Sequence, residues 1–480
     1  MEMSLLCRSR FGNGGRGFLV FWGAGVPYDY GERRVIRTLQ KRIHWWAVVL
    51  LTSTTSVGVM VEALSAAPLT FTIRKFTADP ALISFIGSIN LAFSFLVAPY
   101  VSWKSDRIWT RWGRRKPFLI GGWSILILAL LACPMAPSLW LLILCVAVWQ
   151  VSHDAGYGAV WSPLLYEMVP MSQRGRAVVI KRCMSTGALV AFNAILLARF
   201  DEIYRLRFPF APGEWVITGE QMIYWVTAGL VFLSVLNIGC LVAETKGKEI
   251  RTETQENPFV FVRSLLWNRQ WLMIHALVFC SVSLSASLGQ LAPLLVTEQF
   301  GYSKKVFADL QTWQLLTIVF GALPIAGWLA DRVDRFRVFQ AGLILSTAHS
   351  LIFWAWLEWG TGPGQPWLWL LFFFFLSNAL IDTVAGLAIE PYYYDLTPPD
   401  KMGSMNAGFL IVSNFLRMLL MMGVGLWVKL FSGGSSEPGE IRYSSGYLFV
   451  FLVGLGGIGL SLLFARERAR GRIREYGLPS

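Results

Sequence analysis

Twelve apolar stretches, each near the length that crosses a bilayer, limit what this chain can become. About 20 apolar residues in a helix span the hydrocarbon core, and runs of that order lie near 45–70, 81–103, 117–138, 139–162, 177–199 and 222–243. After a polar stretch they resume near 272–296, 307–329, 338–357, 367–391, 405–431 and 447–465. Lipid offers no partner to a backbone N–H or C=O, so such runs must coil into helices. The expected fold class is an all-α membrane protein with twelve transmembrane helices. With 55% apolar and only 15% charged residues in 480, the chain is neither a soluble domain nor a protein with a single anchor.

Charge orients the helices. The segment 105–118, SDRIWTRWGRRKPF, carries Arg107, Arg111, Arg114, Arg115 and Lys116 against one acid, Asp106. Each such charge costs about 2.5–3.5 kcal/mol at the centre of a membrane helix, so this is a loop, and the excess of Lys and Arg makes it cytoplasmic. Gly113 allows the turn and Pro117 suits the first turn of the next helix. Counted over all loops, basic residues favour the hairpin's side by roughly three to one. The other side holds only Arg74, Lys75, Arg199, Arg205, Arg207, Lys304, Lys305, Lys429 and Arg442. Both termini are therefore placed in the cytoplasm, with the protein in the cell (inner) membrane. The net charge of +13 does not point to nucleic acid, because the basic residues sit in short patches between apolar runs.

The linker Glu244–Arg269 divides the spans six and six, and the two sets repeat. A shift of 225 takes Pro68 to Pro293, Pro99 to Pro324, Asp106 to Asp331 and Arg107 to Arg332. A shift of 228 takes Asp154 to Asp382, Pro163 to Pro391, Tyr166 to Tyr394, Pro170 to Pro398 and Gly175 to Gly403. Two six-helix units in the same orientation are parallel repeats about an axis along the membrane normal. The expected organisation is a poorly ordered cytoplasmic tail over 1–43, six-helix halves over 44–243 and 271–465, a cytoplasmic linker over 244–270, and a basic cytoplasmic tail over 466–480. Cys7, Cys133, Cys145, Cys183, Cys240 and Cys280 are scattered without a CxxC pair and read as free packing thiols. No cofactor or metal is expected, and in the absence of a Walker loop, a zinc-ligand helix or a nucleophile elbow the chain is not read as an enzyme.

The segment GSINLAFSFLVAPYVSWKSDRIWTRWGRRKPF resembles the signature between helices two and three of major facilitators. GALPIAGWLADRVDRFRV resembles its weaker second copy, and YEMVPMSQRGRA, Tyr166 to Ala177, is similar to the segment after helix four. The SDR and RxGRRxPF form is closest to the glycoside-pentoside-hexuronide cation symporters and their sucrose-transporter relatives. The resemblance implies a secondary transporter working by alternating access, with a sugar or glycoside moved together with H⁺ or Na⁺. The alternatives are a carrier for another organic solute, including drug-type efflux, and a non-transporting sensor on a carrier fold. It also implies a cytoplasmic gate made of Asp106, Arg107, Gly113, Arg114, Arg115, Glu167, Arg174, Asp331 and Arg332. Two features depart from these relatives: 81–103 has no acid and offers Asn90 as its main polar group, and 139–162 has no Arg.

An ionisable residue inside a span is a candidate for function, since it is costly unless it meets a wet cavity or a partner. Glu62, Asp154, Asp382 and Arg417 qualify. Glu62 and Asp154 are expected to hold a proton or cation, and Asp382 and Arg417 to form a pair. Tyr157 and Trp161 follow Asp154 at i+3 and i+7, a face of one acid and two rings of the kind that packs on sugar C–H groups. His153 is expected to point away from Asp154, because neighbouring helical residues diverge by about 100°. The partners expected are a small solute and membrane lipid, with anionic head groups near Arg114, Arg115 and Lys116, no nucleic acid, and a monomeric carrier.

Overall fold

The computed structural model describes residues 45–105, 107–169, 174–207, 214–241, 269–284, 286, 288–330, 332–360, 367–396, 402–435, 437, 439–473 and 475. Among these are twelve helices long and apolar enough to cross a membrane. In the first half they are helix 1 (Val48–Arg74), helix 2 (Pro80–Ser105), helix 3 (Lys116–Met135), helix 4 (Leu139–Leu165), helix 5 (Ala177–Arg199) and helix 6 (Gly219–Cys240). In the second they are helix 7 (Leu272–Gln299), helix 8 (Lys304–Ala326), helix 9 (Arg335–Gly360), helix 10 (Leu368–Ile389), helix 11 (Gly408–Phe431) and helix 12 (Ser445–Ala469). Several starts are set by side-chain caps that satisfy orphan N–H groups: Ser138 Oγ accepts from Leu141 N at 3.4 Å, Ser303 Oγ from Val306 N at 3.4 Å, and Asp334 Oδ1 from Arg337 N at 2.9 Å.

The helices are not uniform rods. Helix 1 breaks at Ser65–Ala66, between Trp45–Leu64 and Ala67–Arg74, where Pro68 removes a backbone donor. Helix 7 breaks at the corresponding place, and its chain passes through a 3₁₀ turn, Gly289–Leu291, before Ala292–Leu294. Helix 4 contains a π-turn, Asp154–Gly158. Between helices 5 and 6 lies a short antiparallel hairpin, strand β1 (Ile203–Arg207) with strand β2 (Glu214–Thr218), which the reading of apolar runs had no means to register. The glycine-rich stretch of helix 12 is a packing surface: a Cβ on Gly454 would stand 2.4 Å from Thr347 Oγ1 of helix 9, and one on Gly457 3.0 Å from Ser283 Cβ of helix 7.

Two apolar cores hold the bundle. The larger crosses both halves and joins Leu64, Leu69 and Trp149 to Leu288, Leu294, Phe307 and Phe353. The smaller, around Phe339, Tyr392 and Phe464, belongs to the second half alone and lies toward the face that carries the 105–118 hairpin. The halves therefore share a core away from that face. Ion pairs reinforce the closure there. Among the described residues, Arg74 of helix 1 pairs with Glu298 of helix 7, Lys429 Nζ of helix 11 lies 2.5 Å from Asp79 Oδ2, and Lys304 Nζ of helix 8 lies 2.6 Å from Asp201 Oδ1. Tyr443 Oη adds a 3.0 Å hydrogen bond to Glu298.

The segment read as a basic tail begins as the last turn of helix 12 and then folds back. Arg468 donates to Asp334 through Nη1 at 3.1 Å and Nη2 at 2.9 Å and to Glu475 through Nε at 2.7 Å. Tyr392 Oη donates to Glu475 at 2.7 Å, and Ile473 is buried. This strap ties the ends of helices 9, 10 and 12. Burial alone lifts the Asp334 carboxyl, but the hydrogen bonds from Arg468 and the Arg337 N–H, with the charges of both arginines, outweigh it and hold the group below the usual carboxylate range. A carboxyl held down in the folded state adds stability that is fully present above its unfolded titration range, around pH 4, and is lost as the pH falls through its folded one. Because the pair is partly screened by solvent, Arg468→Ala is expected to cost only about 1–2 kcal/mol. Thermal unfolding of the purified protein should register the loss at pH 7, and the gap to wild type should narrow below about pH 4.

Candidate functional site

Glu62 lies midway along helix 1 and is exposed to solvent. Its charge is nonetheless felt by Asp154 and Tyr157 of helix 4 and Lys181 of helix 5. Asp154 is 4% exposed, and its carboxylate accepts from a single hydroxyl, Ser94 Oγ of helix 2, at 3.1 Å to each oxygen. Gly158 keeps the π-turn open around it, since a Cβ there would lie 3.1 Å from Asp154 Oδ1. A π-turn of this kind often marks a functional position.

Helix 3 holds that turn in place by direct backbone contact. A Cβ on Gly122 would lie 2.7 Å from Ser152 O and 2.9 Å from Gly156 N, whereas Gly121 has open space. Tyr157 stacks on Trp123, with ring centroids 5.7 Å apart and planes at 24°, and its ring covers Gly58 of helix 1. The expected separation of His153 from Asp154 is not found, for Nδ1 lies 4.0 Å from Oδ1. His153 Nε2 is buried without a partner, as is the neighbouring Gln150 Nε2.

The other nominated residues are dispersed. Trp161 is fully buried and donates from Nε1 to Thr55 Oγ1 at 2.9 Å, which places it in the packing of helix 4 on helix 1. Asn90 Nδ2 reaches Ser65 Oγ at 3.5 Å, at the limit of a hydrogen bond. Asp382 accepts from Ser346 Oγ of helix 9 and Asn378 Nδ2 of helix 10, both at 2.7 Å. Among the described residues no ion pair joins it to Arg417, whose charge acts on Tyr393 instead. In the hairpin, Gly113 has φ 110° and forms a tight turn with Thr110, Arg107 lies 4.0 Å over the Trp103 ring, and Arg115 is buried. In the second copy Arg332 lies 4.8 Å over the Trp328 ring. Asp106 and Asp331 lie outside the described residues, as do the side chains of Glu167 and Arg174.

A cavity of about 400 Å³ lies between the halves, walled by helices 1, 5, 7, 8, 9, 10 and 12. Asn193, Gln311, Gln314, His349 and Asn378 supply its polar groups, and Phe353, Phe374 and Tyr447 its rings. The rings of Phe353 and Phe374 are stacked at 4.6 Å, and His349 Nε2 is 3.0 Å from Ser377 Oγ. None of its described lining residues is Asp, Glu, Lys or Arg. None of the seven binding residues nominated from sequence lines it, although Ala63 follows Glu62 and Asn378 donates to Asp382. Asn378 is one of several span amides that the sequence offers as hydroxyl partners, but sequence reading missed Asn193, Gln311 and Gln314, because amides look alike in an apolar run whether they face a cavity or a neighbour. It also missed Lys181, counted there with loop charges, although it sits one turn inside helix 5.

The fold has many solved counterparts. A crystal structure of the nucleoside transporter NupG superposes with a TM-score of 0.64 at 10% identity, covering 87% of this chain and 98% of that one. A bacterial homologue of the human lysosomal transporter Spinster, in an inward-facing and occupied conformation, gives 0.65 at 13% identity, covering 88% and 96%. An auto-inhibited peptide transporter of the POT family gives 0.62 at 11% identity, covering 91% and 99%. At such identities the likeness is one of fold. A search among curated proteins returns no match. The sequence pattern of the Major Facilitator Superfamily, however, matches residues 47–420, and with its twelve helices in two halves the chain belongs to that superfamily of membrane transporters.

Proposed function

We propose that the protein is a secondary active carrier of an uncharged, polar organic solute, a sugar or glycoside, driven by protons. The observation that carries this reading is the cavity between the halves, where amides, a histidine and stacked rings converge without a formal charge among the described lining residues. Such a lining suits a solute that presents hydroxyls at its edge and C–H groups on its faces. A charged solute would find no counter-ion among the described lining residues. Glu62 adjoins Ala63 of the cavity wall and its charge acts on Asp154, and two interacting carboxyls hold one proton between them more readily than two negative charges. Lys181 offers Glu62 a counter-charge when that proton leaves. The hairpin acts as the cytoplasmic gate, with the turn at Gly113 and the seated Arg107 and Arg115 giving it a fixed shape.

The test is uptake into proteoliposomes of a labelled panel of mono- and disaccharides, glycosides and nucleosides, with pH and Na⁺ gradients imposed separately. A pH gradient should drive accumulation of at least one sugar or glycoside. Movement of nucleosides alone would overturn the solute class, and accumulation that follows Na⁺ alone would overturn the proton.

A further inference from the structure

The side-chain amide of Gln290, in the break of helix 7, reaches across to the other half of the molecule. Its Nε2 donates to Ser65 O at 2.6 Å, and its Oε1 accepts from Thr70 Oγ1. All three residues are buried. Ser65 and Gln290 are 225 positions apart, the shift that takes Pro68 to Pro293 and Pro99 to Pro324. They are repeat mates, and two mates can touch only where the axis relating the halves passes between them.

The fit is close as well as central. Gln290 occupies a notch left by Gly87 of helix 2, where a Cβ would fall 2.2 Å from Gln290 Cγ and 2.8 Å from Met421 Cε. The bends that the amide joins are also cavity walls: Ala66, Ala67 and Pro68 on one side, Gly289, Ala292 and Pro293 on the other. Anything that fills the cavity presses on the segments that Gln290 ties together.

We infer that Gln290 is a positioning residue of the transport cycle, whose amide latches the two bends and so sets how often the face opposite the hairpin stands open. Parting the halves leaves a buried donor and a buried acceptor without partners until water replaces them, a penalty that keeps this face shut. The ion pairs nearer the rim, Arg74–Glu298 and Lys429–Asp79, meet water and are weaker locks. This inference rests on the carrier fold and not on the solute.

The experiment places one cysteine at the cavity-lining position Gln311 of an otherwise cysteine-free chain and times its reaction with an impermeant maleimide applied from the face opposite the hairpin. Gln290→Leu, which keeps the bulk and loses both hydrogen bonds, should raise the rate roughly tenfold. Gly87→Ala should do the same by displacing the amide. Gly87→Ala combined with Gln290→Ala should react no faster than Gln290→Ala alone, because the methyl then meets only the end of the Met421 side chain, which can turn away. An unchanged rate in Gln290→Leu would overturn the latch. Additive effects of the last pair would reduce Gln290 to ordinary packing. Neither readout needs a transported sugar, so failure here and failure of the sugar reading are separate results.

Discussion

Replacing Asp154 by Asn is expected to bring gradient-driven accumulation down to a ratio of about one while leaving solute exchange across the membrane in place. A membrane potential of 100 mV supplies about 2.3 kcal/mol per charge, enough for a roughly 50-fold gradient when one proton accompanies one neutral solute. Asn keeps the shape and can still meet Ser94 Oγ, the hydroxyl that touches both carboxylate oxygens, but it cannot carry the proton. Uptake under an imposed potential, set against counterflow with the same solute inside, separates the two functions. Full accumulation in Asp154→Asn together with its loss in Glu62→Gln would move the proton to helix 1 and remove Asp154 from the mechanism.

The second large effect is one of stability. Gly122→Val sets two methyl groups against the backbone of the π-turn and of the helix just before it, where Gly156 N and Ser152 O stand 2.9 and 2.7 Å from even a Cβ. Backbone cannot swing aside as a side chain can, so the cost falls at or above about 3 kcal/mol, the upper end for overpacked cores. Much reduced yield and an earlier thermal transition are expected. Gly121→Val, one position away, meets nothing within 4 Å and should behave as wild type. Equal damage from both would mean that valine harms helix 3 for reasons unrelated to its contact with helix 4.

These two positions also illustrate what could be read without a structure. The twelve spans were legible because a run of apolar residues can satisfy its backbone in lipid in only one way. Asp154 was legible because a carboxyl in such a run needs a reason to be there. The face drawn through Asp154, Tyr157 and Trp161 assumed an unbroken α-helix. The π-turn at Asp154–Gly158 inserts a residue into that spacing, which rotates everything beyond it by about 100°, and Trp161 accordingly packs on Thr55. Lys181 satisfied the same rule as Asp154 but was counted with a loop, since end-of-helix charges and loop charges look alike in sequence. The pairing of Asp382 was harder still. Ser346 and Asn378, its partners, are small polar residues of no distinction until helices 9 and 10 are packed.

The contact at the axis bears on how such a chain could have arisen. In a dimer of two identical six-helix chains, position 65 would meet its own copy, and any substitution there would appear twice. Two serines leave a gap, and two glutamines would crowd each other at the axis. Joining the halves in a single chain lets the two positions differ, so that a short side chain with a free carbonyl can face a long amide that needs one. On that view the gain from fusion lies less in holding the halves together than in allowing their meeting point to become asymmetric.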